Sequence, residues 1–197
     1  MRAQLFKFNH LLLALLLITP VHVSGGEDLD YFDQQVLTWA KECAKLATTQ
    51  FEKAINNGTL SIGQVFDTFY IPIPDTNPQK YKTQYDLFSD EAIRPVIDNC
   101  LKKDSRLIFT VLVDKNGYLP THNTKYSQPL TGDPEKDVKW NRTKRIFNDT
   151  TGLAAASNKE EYLFQKYSRD TGEEIRDLSV PIFINGQHWG AIRIGYK

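Results

Sequence analysis

Apolar and polar positions alternate along this chain with two different periods. Between residues 28 and 57 the apolar residues recur every three to four positions, so that Val36, Trp39, Ala40, Cys43 and Ala47 share one face. The pattern predicts one long amphipathic helix over 28–57, with an Ala-rich interior and Gly58 as its stop. Residues 60–69 have room for a short helix. Pro72, Pro74 and Pro78 then impose an extended polar loop through Lys82. A second helix is predicted over 89–103 from Ile93, Ile97, Cys100 and Leu101, bent or started by Pro95.

From residue 106 the period shortens. Residues 106–113 form a near-continuous run of branched apolar residues, followed by Asp114, Lys115, Asn116 and Gly117, which is turn chemistry, with Tyr118 and Leu119 as the return strand of a hairpin. Residues 162–167, 174–184 and 188–196 read as three further strands, the last two joined through Asn185 and Gly186 as a second tight hairpin. The fold class expected is α+β, a long N-terminal helix packed on a central antiparallel sheet of about five strands. A long insert, 123–159, carries a helical pattern at 134–147 and a small-residue piece at 152–156. Inserts of this length across a sheet tend to carry binding function.

The N-terminus follows a separate logic. Arg2 and Lys7 precede the uncharged apolar run 11–19, which Pro20 closes, and small residues stand ahead of Gly26. That order is a secretory signal peptide, residues 1–25, cleaved after Ser24 or Gly25. Its apolar stretch is shorter than the roughly 20 residues a bilayer span needs. Residues 26–197 are then expected as one exported, periplasmic domain. Removing Arg2 and Lys7 takes 24 basic against 24 acidic residues to 22 against 24. A balance near minus two favours neither nucleic acid nor an anionic membrane surface as partner. Cys43 and Cys100 are the two cysteines, each on the apolar stripe of its own predicted helix. A disulfide, which needs Cα atoms within about 7 Å, and two buried thiols both remain open. Two thiols without CxxC spacing or a nearby His make a poor metal site.

Candidate chemistry gathers in and around the insert. Arg142 and Arg145, read on the predicted helix, share a face and could grip a carboxylate or phosphate, although spacing alone favours a solvated basic face. His122 and His188 lack the GxSxG, HExxH or Cys/His context of a catalytic group, and no enzyme activity or cofactor is expected. Three stretches, DKNGYLPTHNTKYSQPLTGD (114–133), NRTKRIFNDTTGLAAA (141–156) and YSRDTGEEIRDLSVPIFINGQHWGAIRIGY (167–196), taken together resemble the extracytoplasmic PAS-like, Cache-type sensor domain of bacterial methyl-accepting chemotaxis proteins. The resemblance covers nearly all of the chain after residue 25 and is strongest beyond residue 106. It implies a pocket between the sheet and the insert that binds a small molecule, with anions among the candidates. Carried over by motif, the pocket candidates are Tyr118, His122, Asn123, Arg142, Arg145, Tyr167, Arg169, Asp170 and Trp189. Some relatives attach a c-type haem, which requires CxxCH; this sequence has no such motif. The chain ends at Lys197, where a chemoreceptor would enter a second membrane helix. The resemblance therefore implies a sensor acting through a separate membrane-bound receptor or kinase. The competing expectation is an interaction protein that dimerises through its first helix and has a vestigial pocket.

Overall fold

A computed structural model describes residues 28–169 and 172–197. The predicted signal segment and Asp170 lie outside the described residues. Helix α1, Tyr31–Asn56, begins three residues later than its apolar pattern suggests because Asp30 caps it, accepting from the backbone N–H groups of Phe32 and Asp33 while Asp33 accepts from that of Asp30. Its stripe of Val36, Ala40, Cys43, Ala44, Ala47, Phe51 and Ala54 is buried. The alanines let the helix backbone come close to the sheet beneath it. A short capped helix, α2 (Ile62–Val65), follows.

The Pro-rich stretch predicted as an open loop closes instead into a small antiparallel hairpin, β1 (Ile71–Ile73) with β2 (Lys80–Lys82). The predicted helix 89–103 is in two pieces, a π-helical turn (Ser89–Ile93) and α4 (Arg94–Leu101), and a short helical turn, α3 (Asp86–Phe88), precedes them. Pro95 explains the widened turn, since it has no N–H to give the carbonyl four residues before it. Cys43 of α1 and Cys100 of α4 are bridged, with Cα atoms 6.3 Å apart. This settles the alternative that composition left open.

The main sheet is antiparallel, built from β3 (Leu107–Asp114), β6 (Leu163–Ser168), β7 (Glu174–Ile184) and β8 (Gln187–Tyr196) in the order β3-β8-β7-β6. The β7–β8 hairpin turns at Asn185 and Gly186 as expected, both at positive φ. The expected hairpin at residues 106–119 does not form. Asp114 accepts from the N–H groups of Asn116 and Tyr118 and turns the chain away, and β4 (Tyr118–Leu119) pairs with β5 (Arg145–Ile146) inside the insert. The main sheet thus has four strands, with β4 in a two-stranded sheet of its own. Asn123 covers the edge of β3 by accepting from the N–H of Thr110 at 2.8 Å.

Within the insert, α5 (Pro134–Trp140) is half the length predicted, and α6 (Thr150–Ser157) forms from the small-residue piece. Helix α5 stops because the N–H of Arg142 donates to the carbonyl of Tyr126 and the Asn141 amide to that of Gln128, drawing the chain into an extended strap. Arg142 and Arg145 are therefore not on a helix, which corrects the shared helical face inferred from their spacing.

Period-two alternation divides the sheet. Leu112, Leu178, Ile182, Ile184, Ile192 and Ile194 pack under α1, while Phe109, Val111, Val113, Ile175 and Ala191 form a second, smaller cluster beneath the insert. No helix among the described residues is long and apolar enough to cross a membrane.

The bridge closes a loop of 57 residues' separation, which by chain entropy stabilises the fold by about 4 kcal/mol. Reduction, or replacement of both cysteines by Ala, is expected to lower the free energy of urea unfolding by about that amount. An unchanged unfolding midpoint would show that the bridge does not form in solution.

Candidate functional site

The insert does not lie flat on the sheet. Between them is a cavity of about 450 Å³, on the face opposite α1. Its floor is Phe109, Val111 and Val113 of β3 with Tyr167 of β6 and Arg193 of β8. Its roof is the strap and the start of α6, presenting Arg142, Arg145, Phe147, Asp149 and Thr151, and His122 and Arg169 complete the wall.

The strap reaches this position through backbone bonding on one edge, the N–H of Lys144 donating to Leu119 at 2.7 Å and that of Phe147 to Gly117 at 2.9 Å. Lys144 has φ +61°, a left-handed residue that interrupts strand alternation. Its ammonium consequently turns away from the cavity, donating to Asp90 at 2.9 Å and to the carbonyl of Pro120 at 2.8 Å, while Arg142 and Arg145 on either side of it line the cavity. Gly152 and Gly117 both press on the carbonyl of Phe147: a Cβ on either would lie 2.3 Å from that oxygen. Larger residues at these points would displace the aromatic wall.

Electrostatically the cavity is cationic. The Arg142 and Arg145 guanidiniums sit 5.3 and 4.8 Å from the Phe147 ring centroid, and Arg169 sits 5.3 Å from that of Phe109. Arg169 also pairs with Glu173 at 3.0 Å. Arg193 pairs at 2.5 Å with Asp177, which is fully buried, and Tyr167 donates its hydroxyl to the same carboxylate at 2.8 Å. Burial, followed by the charge of Asp177, pushes the Tyr167 phenol far above its ordinary range, so it stays a neutral donor.

His122 is 2% exposed. Burial first, and then the charges of Arg142, Arg169, Arg145 and Arg94, holds its pKa well below the ordinary value. The ring is neutral, and its Nδ1 accepts from the N–H of Asn123 at 2.7 Å. Nε2 then carries the hydrogen, so the ring offers a neutral donor.

Of the residues predicted for the pocket, the structure brings together His122, Arg142, Arg145, Tyr167 and Arg169. Three others do not line the cavity. Tyr118 turns into the α1-side core and donates to Asp86 at 2.8 Å. Asn123 serves the β3 edge and donates to Asp98 at 3.2 Å. Trp189 lies at a register shift in the β7–β8 pairing, packs against Phe51 and Tyr85, and donates to the carbonyl of Val65 at 2.8 Å. Asp170 lies outside the described residues. Sequence reasoning missed Phe109, Phe147, Asp149 and Arg193. The signal for Arg193 was present: a charged residue between Ile192 and Ile194, with Asp177 in the partner strand two positions from Ser179, the residue opposite Arg193.

No protein-family model and no curated protein matches the chain. Two solved structures show similarity over most of this chain. One is an extracellular ligand binding receptor from Desulfohalobium retbaense DSM5692, 11% identical with a TM-score of 0.40, the match covering 83% of this chain and 25% of that one. The other is the ligand binding domain of Mlp24 with asparagine, 10% identical with a TM-score of 0.32, covering 82% of this chain and 60% of that one. The chain therefore spans a quarter and three-fifths of these two proteins. At such identities and scores neither neighbour's ligand carries over to this chain.

The depressed pKa of His122 has a measurable consequence. An unfolded histidine takes up a proton below about pH 6.5, whereas the folded ring refuses it, so the unfolded state binds more protons and stability falls as pH drops through that value. The loss approaches about 1.4 kcal/mol per pH unit until the folded pKa is reached. His122→Gln is expected to flatten this slope in urea unfolding series at pH 7, 6 and 5, with His188 common to both proteins. Parallel slopes for the two proteins would contradict a buried neutral His122.

Proposed function

We propose that this chain is a sensor domain that binds a small organic anion in the cavity between sheet and insert, works outside the inner membrane, and acts in chemotaxis-type signalling through a separate membrane-bound partner. The observation that carries the binding reading is the cavity itself: apolar side chains of β3, aromatic walls and, among the described residues, four lining arginines against one lining carboxylate, Asp149. Planar guanidiniums fixed on ring faces suit carboxylate oxygens, which they grip in pairs. The neutral Nε2–H of His122 adds direction without adding charge. His122 is poorly suited to general-base work, since its unprotonated nitrogen is already taken by the Asn123 N–H. Export is supported by the order of Arg2, Lys7 and the apolar run 11–19.

The alternative, dimerisation through α1 with a vestigial pocket, has less support. The apolar stripe of α1 faces the sheet, and its exposed large hydrophobic side chains are Tyr31 and Leu46, fifteen residues apart. The cavity is also open rather than filled.

A thermal-shift panel of succinate, malate, citrate, aspartate, glutamate and inorganic phosphate, with uncharged sugars and nucleobases beside them, tests the proposal. A matching anion at a hundredfold excess over its Kd stabilises by about 2.7 kcal/mol, which raises Tm by about 5–10 °C in a domain of this size. Arg142→Gln and Arg145→Gln are expected to abolish the shift while leaving the far-UV circular dichroism intact. Stabilisation by uncharged compounds alone, or an anion shift unchanged in both variants, would overturn the anion reading.

A further inference from the structure

Lys80 lies on β2, in the small hairpin outside the cavity, and is 4% exposed. A buried lysine needs partners for all three ammonium hydrogens. It finds them on the outer edge of the strap: the Asn141 carbonyl at 3.1 Å, the Asn141 side-chain oxygen at 2.7 Å and the Thr143 carbonyl at 2.7 Å. The next hairpin residue continues the contact, the N–H of Tyr81 donating to the carbonyl of Lys144 at 2.8 Å. The strap is thus gripped from two sides. The N–H groups of Arg142 and Lys144 bond to Tyr126 and Leu119 on one edge, and its carbonyls at 141, 143 and 144 bond to Lys80 and Tyr81 on the other.

We propose that Lys80 is a positioning residue for the cavity, its ammonium fixing the strap at the position from which Arg142 and Arg145 enter the site. The proposal deepens the anion-binding reading and rests on it for its functional meaning, although the holding of the strap can be measured separately. The residues held, Asn141, Thr143 and Lys144, flank Arg142 and lead into Arg145, so loosening them loosens both arginines together. Lys80 does not line the cavity. Its effect on a ligand therefore passes through the strap, together with the field of its charge.

The grip depends on protonation. A neutral amine has two hydrogens and a lone pair, and it cannot satisfy three acceptors. Burial, with the charges of Arg145, Lys144 and Arg142 opposing that of Asp137, brings Lys80 down to about 8. Lys144 itself faces Asp90 and Asp86. Since an anion among the arginines would favour the charged lysine, reciprocity requires anion affinity to fall as Lys80 loses its proton. The folded protein binds fewer protons than the unfolded between about pH 8 and 10.4, so global stability is not lost over this window through Lys80. A fall in affinity there would not be a symptom of unfolding.

Lys80→Met keeps the aliphatic length and removes the donors. Using citrate as probe in isothermal titration at pH 7, the variant is expected to bind about tenfold more weakly than wild type. Wild-type affinity is expected to decline between pH 7 and pH 9.5, with proton uptake on binding, while the variant shows a flatter profile over the same range. Amide hydrogen exchange read at Arg142 and Lys144 supplies a measure that needs no ligand: both amides should exchange faster in the variant, with those of β7 and β8 unchanged. Equal affinities with parallel pH profiles, or equal protection of the two strap amides, would overturn the assignment. If wild type binds no citrate or any other anion of the panel, the anion reading fails, and the holding of the strap is decided by the exchange data. If the variant does not fold, the wild-type profile decides: an affinity flat from pH 7 to 9.5 sinks the proposal and a decline with proton uptake supports it.

Discussion

The buried pair of Arg193 and Asp177 sets the chemistry of one whole face of the sheet. Both residues sit on central strands at positions that alternation sends away from α1, where an apolar residue would have filled the space beneath the insert. Breaking such a pair by removing one partner typically costs about 3–5 kcal/mol, whereas replacing both by well-packed apolar residues is often neutral. Stability alone therefore gives no reason for the pair. Its effect is to hold a guanidinium in the cavity floor, oriented by Asp177 and by the Tyr167 hydroxyl at 3.0 Å. With a charge fixed there, the insert cannot collapse onto the sheet as a second apolar layer without desolvating it. The cavity follows from that constraint.

The roof is built to the same rule by different means. Arg142 and Arg145 come from a strap without regular secondary structure for most of its length, and their placement depends on contacts made outside the cavity. Lys80 and Tyr81 hold the carbonyl edge, Lys144 is drawn outward to Asp90, and the carbonyl of Phe147 is pinched between Gly117 and Gly152. Nearby, Tyr70 and Tyr85 donate to Asp114 while Tyr118 donates to Asp86, which stiffens the junction of the Pro-rich hairpin, the π-helical turn and the end of β3. Burial raises the pKa of Asp114, against the lowering effect of its donors. The polar residues here mostly support the groups that line the cavity.

Elements defined by periodicity were legible in the sequence, because the period is itself the physical cause of burial. Helix α1, β7, β8 and the Asn185–Gly186 turn fall close to their predicted limits. Elements whose form is decided by distant partners were not legible. The tail of the predicted insert helix had acceptable helical residues, but Tyr126 offered the N–H of Arg142 a better-placed acceptor and the chain left the helix. Residues 118–119 were expected to return along β3, yet the Asp114 turn and the pairing with residues 145–146 took them elsewhere. For the cavity, the motifs found the arginines of the insert and His122, which cluster in sequence. They missed Arg193, Phe109 and Phe147, which lie within strands or the strap and join the site only through the sheet order and the fold of the insert. They also included Trp189, whose register shift placed it on the opposite face.

The two faces of the sheet meet most directly at residues 176 and 177. Asp177 points beneath the insert to Arg193, and its neighbour Arg176 points the other way, pairing with Asp30 at 2.6 Å and Asp33 at 3.0 Å at the cap of α1. Asp33 also accepts from the hydroxyl of Tyr196, three residues beyond Arg193 on β8. Each side of this junction is an ion pair with directional hydrogen bonds, and each is carried by a backbone that antiparallel pairing holds rigid. The start of the long helix and the charged floor of the cavity are therefore fixed by adjacent residues of one strand. Displacement of Asp177 along β7 cannot leave the cap contacts of Arg176 unchanged, because a single peptide unit joins them.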